Sequence, residues 1–184
     1  MKSKWLLIAL PILLSACGYN TIQTMDESAA AAKQQIEVQL QRRADLVPNL
    51  VETVKGYAKQ EETIFTEVAK ARAGLAGAVQ GGNIAEMANA NQAMTGALGR
   101  LLAISEAYPQ LKSDQNFLRL QDELTGTENR IAVSRTDYNN VVRDYNAYIR
   151  RFPAVLTAKV TGAKTREYFE VTSPGSREVP AVKF

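Results

Sequence analysis

Apolar residues recur through residues 24–79 at alternating spacings of four and three: Ile36, Leu40, Val47, Leu50, Val54, Tyr57, Ile64, Val68, Ala71, Leu75 and Ala78. Only Arg43 and Glu61 interrupt the series. A stripe sustained for so long predicts one long helix packed along a single seam. Pro48 lies inside it and removes one backbone donor, so a kink or break is expected near Pro48. The phase of the stripe is kept across Pro48, and residues 42–49 contain no glycine. Both features favour a kinked continuation over a chain that doubles back there. Gly81-Gly82 ends the element.

A second stripe, Ile84, Met87, Met94, Leu98, Leu101 and Tyr108, predicts a helix over about 83–108, closed by Tyr108-Pro109. A third helix is expected over about 113–151, with Phe117, Leu120, Leu124, Ile131, Tyr138, Val141, Tyr145, Tyr148 and Phe152 on its seam and Ser113 as N-cap. A short fourth helix, 154–161, sits between Pro153 and Gly162, and the remainder reads as an extended tail. The fold class is therefore all-α: an antiparallel bundle of three long helices, a short fourth helix and an extended C-terminal tail. At 1.5 Å per residue the first helix approaches ~84 Å and the second only ~39 Å. The early part of the first helix then keeps an apolar stripe that the second cannot cover. Ile36, Leu40, Arg43 and Val47 are accordingly the expected partner surface, for a second copy or another envelope protein. A hairpin about Gly81 would also place Glu61 near Arg100.

The methionines and tyrosines on these stripes fit packing better than ligand binding. The repeated pair Tyr138-Asn139 and Tyr145-Asn146, seven residues apart, is expected to serve a helix–helix contact. Composition narrows the chemistry further. There is no histidine, and Cys17 is the single cysteine. Triads, thiol–imidazole pairs, His-ligated zinc and disulfides are thereby excluded. No phosphate loop, nucleophile elbow or acidic metal cluster is evident, and no catalytic residue, metal or cofactor is expected. The net charge of +3 falls to +1 once Lys2 and Lys4 are set aside, which gives no electrostatic case for nucleic acid.

Those two lysines open an address label. Lys2 and Lys4 precede an apolar run from Trp5 to Leu14, and Ser15-Ala16-Cys17 follows. The run is too short to span a bilayer and fits a secretory signal peptide. Leu14-Ser15-Ala16-Cys17 resembles a lipobox, the motif at which bacterial lipoproteins are cut and acylated on cysteine. The expected organisation is a cleaved signal over 1–16, a lipidated Cys17 and tether over 17–23, a helical bundle over 24–162 and a tail over 163–184. Acyl chains such as palmitate on Cys17 would anchor the protein to the membrane. Gly18 follows the cysteine in place of the aspartate that resembles an inner-membrane retention signal. In a host with two membranes the periplasmic leaflet of the outer membrane is expected.

The mature chain also resembles a known family, LemA. The resemblance rests on Gln41–Val51, Val54–Ala58, Ala107-Tyr108-Pro109, Leu120-Gln121, Glu123-Leu124, Thr127-Glu128-Asn129 and Arg135. It continues through Tyr138-Asn139, Tyr145-Asn146, Phe152-Pro153, Tyr168-Phe169-Glu170 and Val182-Lys183-Phe184. It implies a helical bundle displayed outside the cytoplasmic membrane, with no established catalytic activity. The sequence departs from the family pattern in two places. Many members keep an uncleaved N-terminal membrane helix where this one has a lipobox, and many carry histidine where this one has Gln60. A non-enzymatic envelope scaffold or adaptor is the expected function. The alternatives are an enzyme built on carboxylates or a Tyr/Lys site, and an accessory modulator of a membrane protease, since some family genes lie beside protease genes.

Overall fold

The computed structural model describes the backbone of residues 2–170 and the side chains of residues 18–170. Six helices follow one another: α1 (Lys2–Lys55), α2 (Glu62–Gly81), α3 (Ile84–Ala107), α4 (Pro109–Lys112), α5 (Gln115–Tyr148) and α6 (Ala154–Thr161). No strand occurs among the described residues, and the fold is all-α. The described residues form two compact units, 2–35 with 134–168, and 36–133 with 169–170. The single bundle expected over 24–162 is thus divided, and α1 and α5 each contribute to both units.

The second unit is built from α1 beyond Ile36, α2, α3, α4 and the start of α5. Cross-links give its helix directions. Arg42 pairs with Glu123 at 2.7 Å and Arg130 donates to Gln39 at 3.2 Å, so α1 and α5 run antiparallel. Arg72 Nε donates to Ala44 O at 2.9 Å, while the Lys55 ammonium stands 5.6 Å from the centre of the Phe65 ring. Hence α2 folds back along α1. The seam residues Ile36, Leu40, Val47, Leu50, Val54, Val68, Leu75, Met87, Met94 and Leu101 are buried, as are Leu124 and Ile131.

The break in the first long helix is therefore not at Pro48. Helix α1 continues through Pro48 to Lys55, and the chain turns over Gly56–Glu61. Two causes separate these places. Proline at 48 cannot donate to the carbonyl four residues earlier, which is Ala44 O. The guanidinium of Arg72 supplies that missing donor, so the helix tolerates the proline. Gly56, by contrast, is a poor helix residue, and Glu61-Glu62 suit the positive start of a new helix. Within the turn, Tyr57 N and Ala58 N both donate to Val54 O. The hydroxyl of Tyr57 donates to Asp114 at 2.8 Å. The apolar spacing resumes after this turn in the same rhythm, which conceals the break in the sequence.

The other boundaries lie close to expectation. Gly82 closes α2 in the left-handed conformation (φ 66°), accepting no side-chain penalty there, and Gly162 does the same for α6 (φ 72°). Asn83 caps α3 by accepting from Ala85 N and Glu86 N. The cap of α5 is Asp114, not Ser113: its carboxylate accepts from Phe117 N at 2.9 Å. On α5 the seam passes through Val142 where Val141 was expected, and Phe152 lies outside it, exposed. Arg100 pairs with Glu67 at 2.8 Å, and the expected partner Glu61 stands in the α1–α2 turn instead.

The first unit comprises α1 up to Gln35, α5 from Ser134, α6 and the chain to Tyr168. Its buried cluster is Ile22, Tyr145, Ile149 and Ala158, with Met25, Tyr148 and Ala163 packed against it. Residues 163–170 carry neither helix nor strand, in keeping with the start of an extended tail.

Candidate functional site

Of the expected partner surface, Ile36, Leu40 and Val47 are buried in the second unit by the chain's own helices. Because α2 doubles back along α1, the stripe is covered from within. Arg43 is buried too, 4% exposed. It donates to Asn91 on α3 at 2.6 Å and forms an ion pair with Glu128 on α5. Loss of water holds the Arg43 pKa below the ordinary guanidinium value, and the Glu128 carboxylate opposes that shift. The pairing comes from two other helices and fixes which faces meet and in what register, although Arg43 Nε is buried without a hydrogen-bond partner. These four residues therefore form core and are not open to a partner.

In the first unit a different set of groups converges. The extended segment after α6 is held at its backbone. Asn146 Nδ2 donates to Arg166 O at 2.9 Å, and Arg166 N donates to Asn146 Oδ1 at 2.8 Å. The Tyr138 hydroxyl donates to Glu167 O at 2.8 Å. The Arg166 side chain turns to α1, where Nε meets Asp26 Oδ1 at 2.8 Å. Tyr138 and Asn146 thus hold an extended chain where a helix was expected, whereas Tyr145 packs with Ile22 and bonds Asp26 of α1, the helix–helix contact expected. Beside them opens a cavity of about 400 Å³, lined by Ile22, Gln23, Asp26, Tyr145 and residues 161–166.

Here an acid–base site would be sought, and the electrostatics point the other way. The hydrogen bond from Arg166 holds the Asp26 carboxyl below its ordinary value, against the effect of burial. Burial pushes the phenols of Tyr138 and Tyr145 up. Each shift carries the group's pKa further from neutral pH, whereas a general acid or base works best with a pKa near the operating pH. The arrangement can bind and hold an extended backbone. Two further hollows flank the α1–α2 groove around Lys55 and Phe65, of about 540 and 220 Å³. Among the described residues no cluster of metal-ligating side chains occurs. No described helix is long and apolar enough to cross a membrane. The expected lipid attachment residue, Cys17, lies outside the described side chains.

Residues 32–184 match the LemA family. The chain belongs to that family. It is similar to MamQ 2 and MamQ 1, magnetosome proteins of Paramagnetospirillum magneticum, each 31% identical over 184 positions that cover 88% of this chain and 68% of the relative. The magnetosome protein MamQ of Magnetospirillum gryphiswaldense is 32% identical over the same shares. Within this LemA domain, the segment containing Arg43 and Pro48 is where α1 receives polar support from Asn91, Glu128 and Arg72. The Tyr138 and Tyr145 segments furnish the backbone clamp. Two of its members, Asp26 and Arg166, were not singled out from the sequence. They lie 140 positions apart, and neither stands in a periodic pattern.

Proposed function

We propose that this LemA-family chain is a lipid-anchored protein of the bacterial cell envelope, and that its helical domain acts as a non-enzymatic scaffold or adaptor. The observation that carries the second half is the use made of polar groups in the first unit. Asn146 and Tyr138 bind the chain's own residues 166 and 167, and Asp26 and the tyrosines are shifted away from acid–base service. The anchor half is supported by Leu14-Ser15-Ala16-Cys17 at the end of a charged and apolar leader. The relatives, named as magnetosome proteins, support an association with cellular membranes.

Mass spectrometry of the protein purified from envelopes tests the anchor. The expected product begins at Cys17 carrying a thioether-linked diacylglycerol, and Cys17→Ser leaves the leader uncleaved and unlabelled by palmitate. An unmodified Cys17 overturns the reading. Crosslinking followed by pull-down from detergent-solubilised envelopes addresses the adaptor half, and a reproducible stoichiometric protein partner is the expected result. An activity that survives purification and is lost on Asp26→Asn would replace the adaptor with an enzyme.

A further inference from the structure

Helix α6 is amphipathic in the wrong direction for a helix stabilised only by its own domain. The residues it turns inward are small: Ala154 and Ala158 are buried, and Ala158 joins the cluster of Ile22, Tyr145 and Ile149. Two of its larger apolar side chains face outward. Leu156 is 56% exposed and Val160, one turn on, 87%. Phe152, just ahead of the helix, is 81% exposed. A surface helix of a soluble domain places such residues inside. Outward-facing apolar residues grouped together mark a surface that meets something apolar.

Charge and position identify what that is. Between Asp144 and Glu167 the chain contains Arg150, Arg151, Lys159, Lys164 and Arg166 and no acidic residue. Arg166 is engaged by Asp26 and Arg150 donates to Asn146 O, while Arg151 and Lys159 stand next to Phe152 and Val160 in the sequence. Residues 18–25 of α1 carry no acid either. The same short helix lies against the start of the mature chain. A Cβ placed on Gly18 would come within 3.3 Å of Thr157 Oγ1 and 3.9 Å of Ala154 Cα. Gly18 is the residue next to Cys17, and Tyr19, half exposed, follows it.

We infer that α6, with Phe152, is a membrane-interface helix: Phe152, Leu156 and Val160 enter the acyl boundary of the leaflet that holds the N-terminus, and Arg151 and Lys159 meet its anionic headgroups. An apolar stripe flanked by cations is the pattern that lies in a bilayer interface. The inference rests on the anchor reading only in that residue 17 must be at the membrane surface. A second attachment point beside the lipid would fix the orientation of the first unit, which a single point of attachment cannot do.

The test uses the full-length protein purified from envelopes and returned to vesicles of phosphatidylcholine with phosphatidylglycerol. Acylation blocks the Cys17 thiol, so Leu156→Cys or Val160→Cys supplies the reactive thiol for an environment-sensitive fluorophore. Val133→Cys, exposed in the second unit, serves as control. Labels at 156 and 160 are expected to show blue-shifted emission and quenching by lipid-borne quenchers, and the label at 133 neither. In Arg151→Glu/Lys159→Glu the protected fraction should fall about tenfold in the anionic vesicles. Labels at 156 and 160 that stay in water overturn the inference, and their protection in native envelopes but not in vesicles would assign the stripe to a protein partner. Mass spectrometry of the same sample separates this from failure of the anchor: an unmodified Cys17 defeats the anchor reading, while fluorophore depth still decides the fate of α6.

Discussion

The two units reach stability by different means. In the second, large apolar side chains fill the interior: Leu40, Leu50, Leu75, Met87, Met94, Leu101 and Phe117 are fully buried. In the first, the buried cluster is small, contains Tyr145 and alanine, and is bound to an extended segment by hydrogen bonds from Asn146 and Tyr138. Three of its larger apolar groups, Phe152, Leu156 and Val160, are outside. A domain gains about 25 cal/mol for each Å² of apolar surface removed from water, so inward alanines contribute much less than leucines. The second unit should therefore answer chiefly to changes of volume, and the first to the loss of single polar groups.

The largest effect expected follows from that contrast. Leu50→Ala removes a fully buried side chain from the second unit and should cost about 2–5 kcal/mol in denaturant unfolding. Hydrogen exchange should speed up most in residues 36–133. Equal loss of protection through residues 134–168 would mean that the units unfold together, and the contrast would concern composition only.

Asn146→Ala is the corresponding change in the first unit. It deletes both hydrogen bonds to the backbone of Arg166, at a cost of about 1–3 kcal/mol felt mainly by the segment after α6. The amide of Arg166 should exchange faster, with residues 36–133 unaltered. Unchanged exchange at Arg166 would show that Tyr138 and Asp26 hold the segment without Asn146.

A smaller effect tests how α1 survives its proline. Arg72→Met deprives Ala44 O of its donor and should cost about 1–2 kcal/mol. In a Pro48→Ala background the restored amide can serve the same carbonyl, so the cost of Arg72→Met should fall by ~0.5–1 kcal/mol. The same penalty in both backgrounds would separate Arg72 from Pro48.

That pairing also shows where the sequence was informative. The stripes of α2, α3 and α5, the Gly82 and Gly162 stops and the whole of α6 were legible, because each depends on local periodicity or on a residue type suited to a helix end. The position of the first break was not. Nothing local says that Arg72, on a helix not yet recognised as separate, will satisfy Ala44 O, and the apolar rhythm runs through Gly56–Glu61 undisturbed. The expected partner surface failed for the same reason: once α2 returned along α1, Ile36, Leu40 and Val47 had cover. Arg43 drew notice as a polar break in the stripe, but Glu128 and Asn91 as its partners needed the fold. In the first unit the Tyr-Asn repeat was visible, whereas its target, the backbone of residues 166 and 167, has no side-chain signature at all.

The smallest effect expected is in acid. Asp26 bonds Arg166, and this holds its carboxyl below the ordinary value of 3.8 in the folded protein. A depressed carboxylate contributes stability that is complete above its unfolded value and is lost as pH falls through the folded one. Nothing should therefore change between neutral pH and about 5, and the segment after α6 should loosen as pH drops below about 4. The pair is partly exposed, so screening keeps its worth under ~1 kcal/mol. In the second unit Asp114 is also depressed, by the amide of Phe117 first and the Tyr57 hydroxyl second, so acid will act at the α5 cap as well. Asp26→Asn separates the two. It should flatten the pH dependence of exchange at residues 163–170 while the acid response around Phe117 persists. If the segment still loosens in acid after Asp26→Asn, the Arg166 pair is not its acid-sensitive link, and the clamp of Asn146 and Tyr138 carries the segment alone.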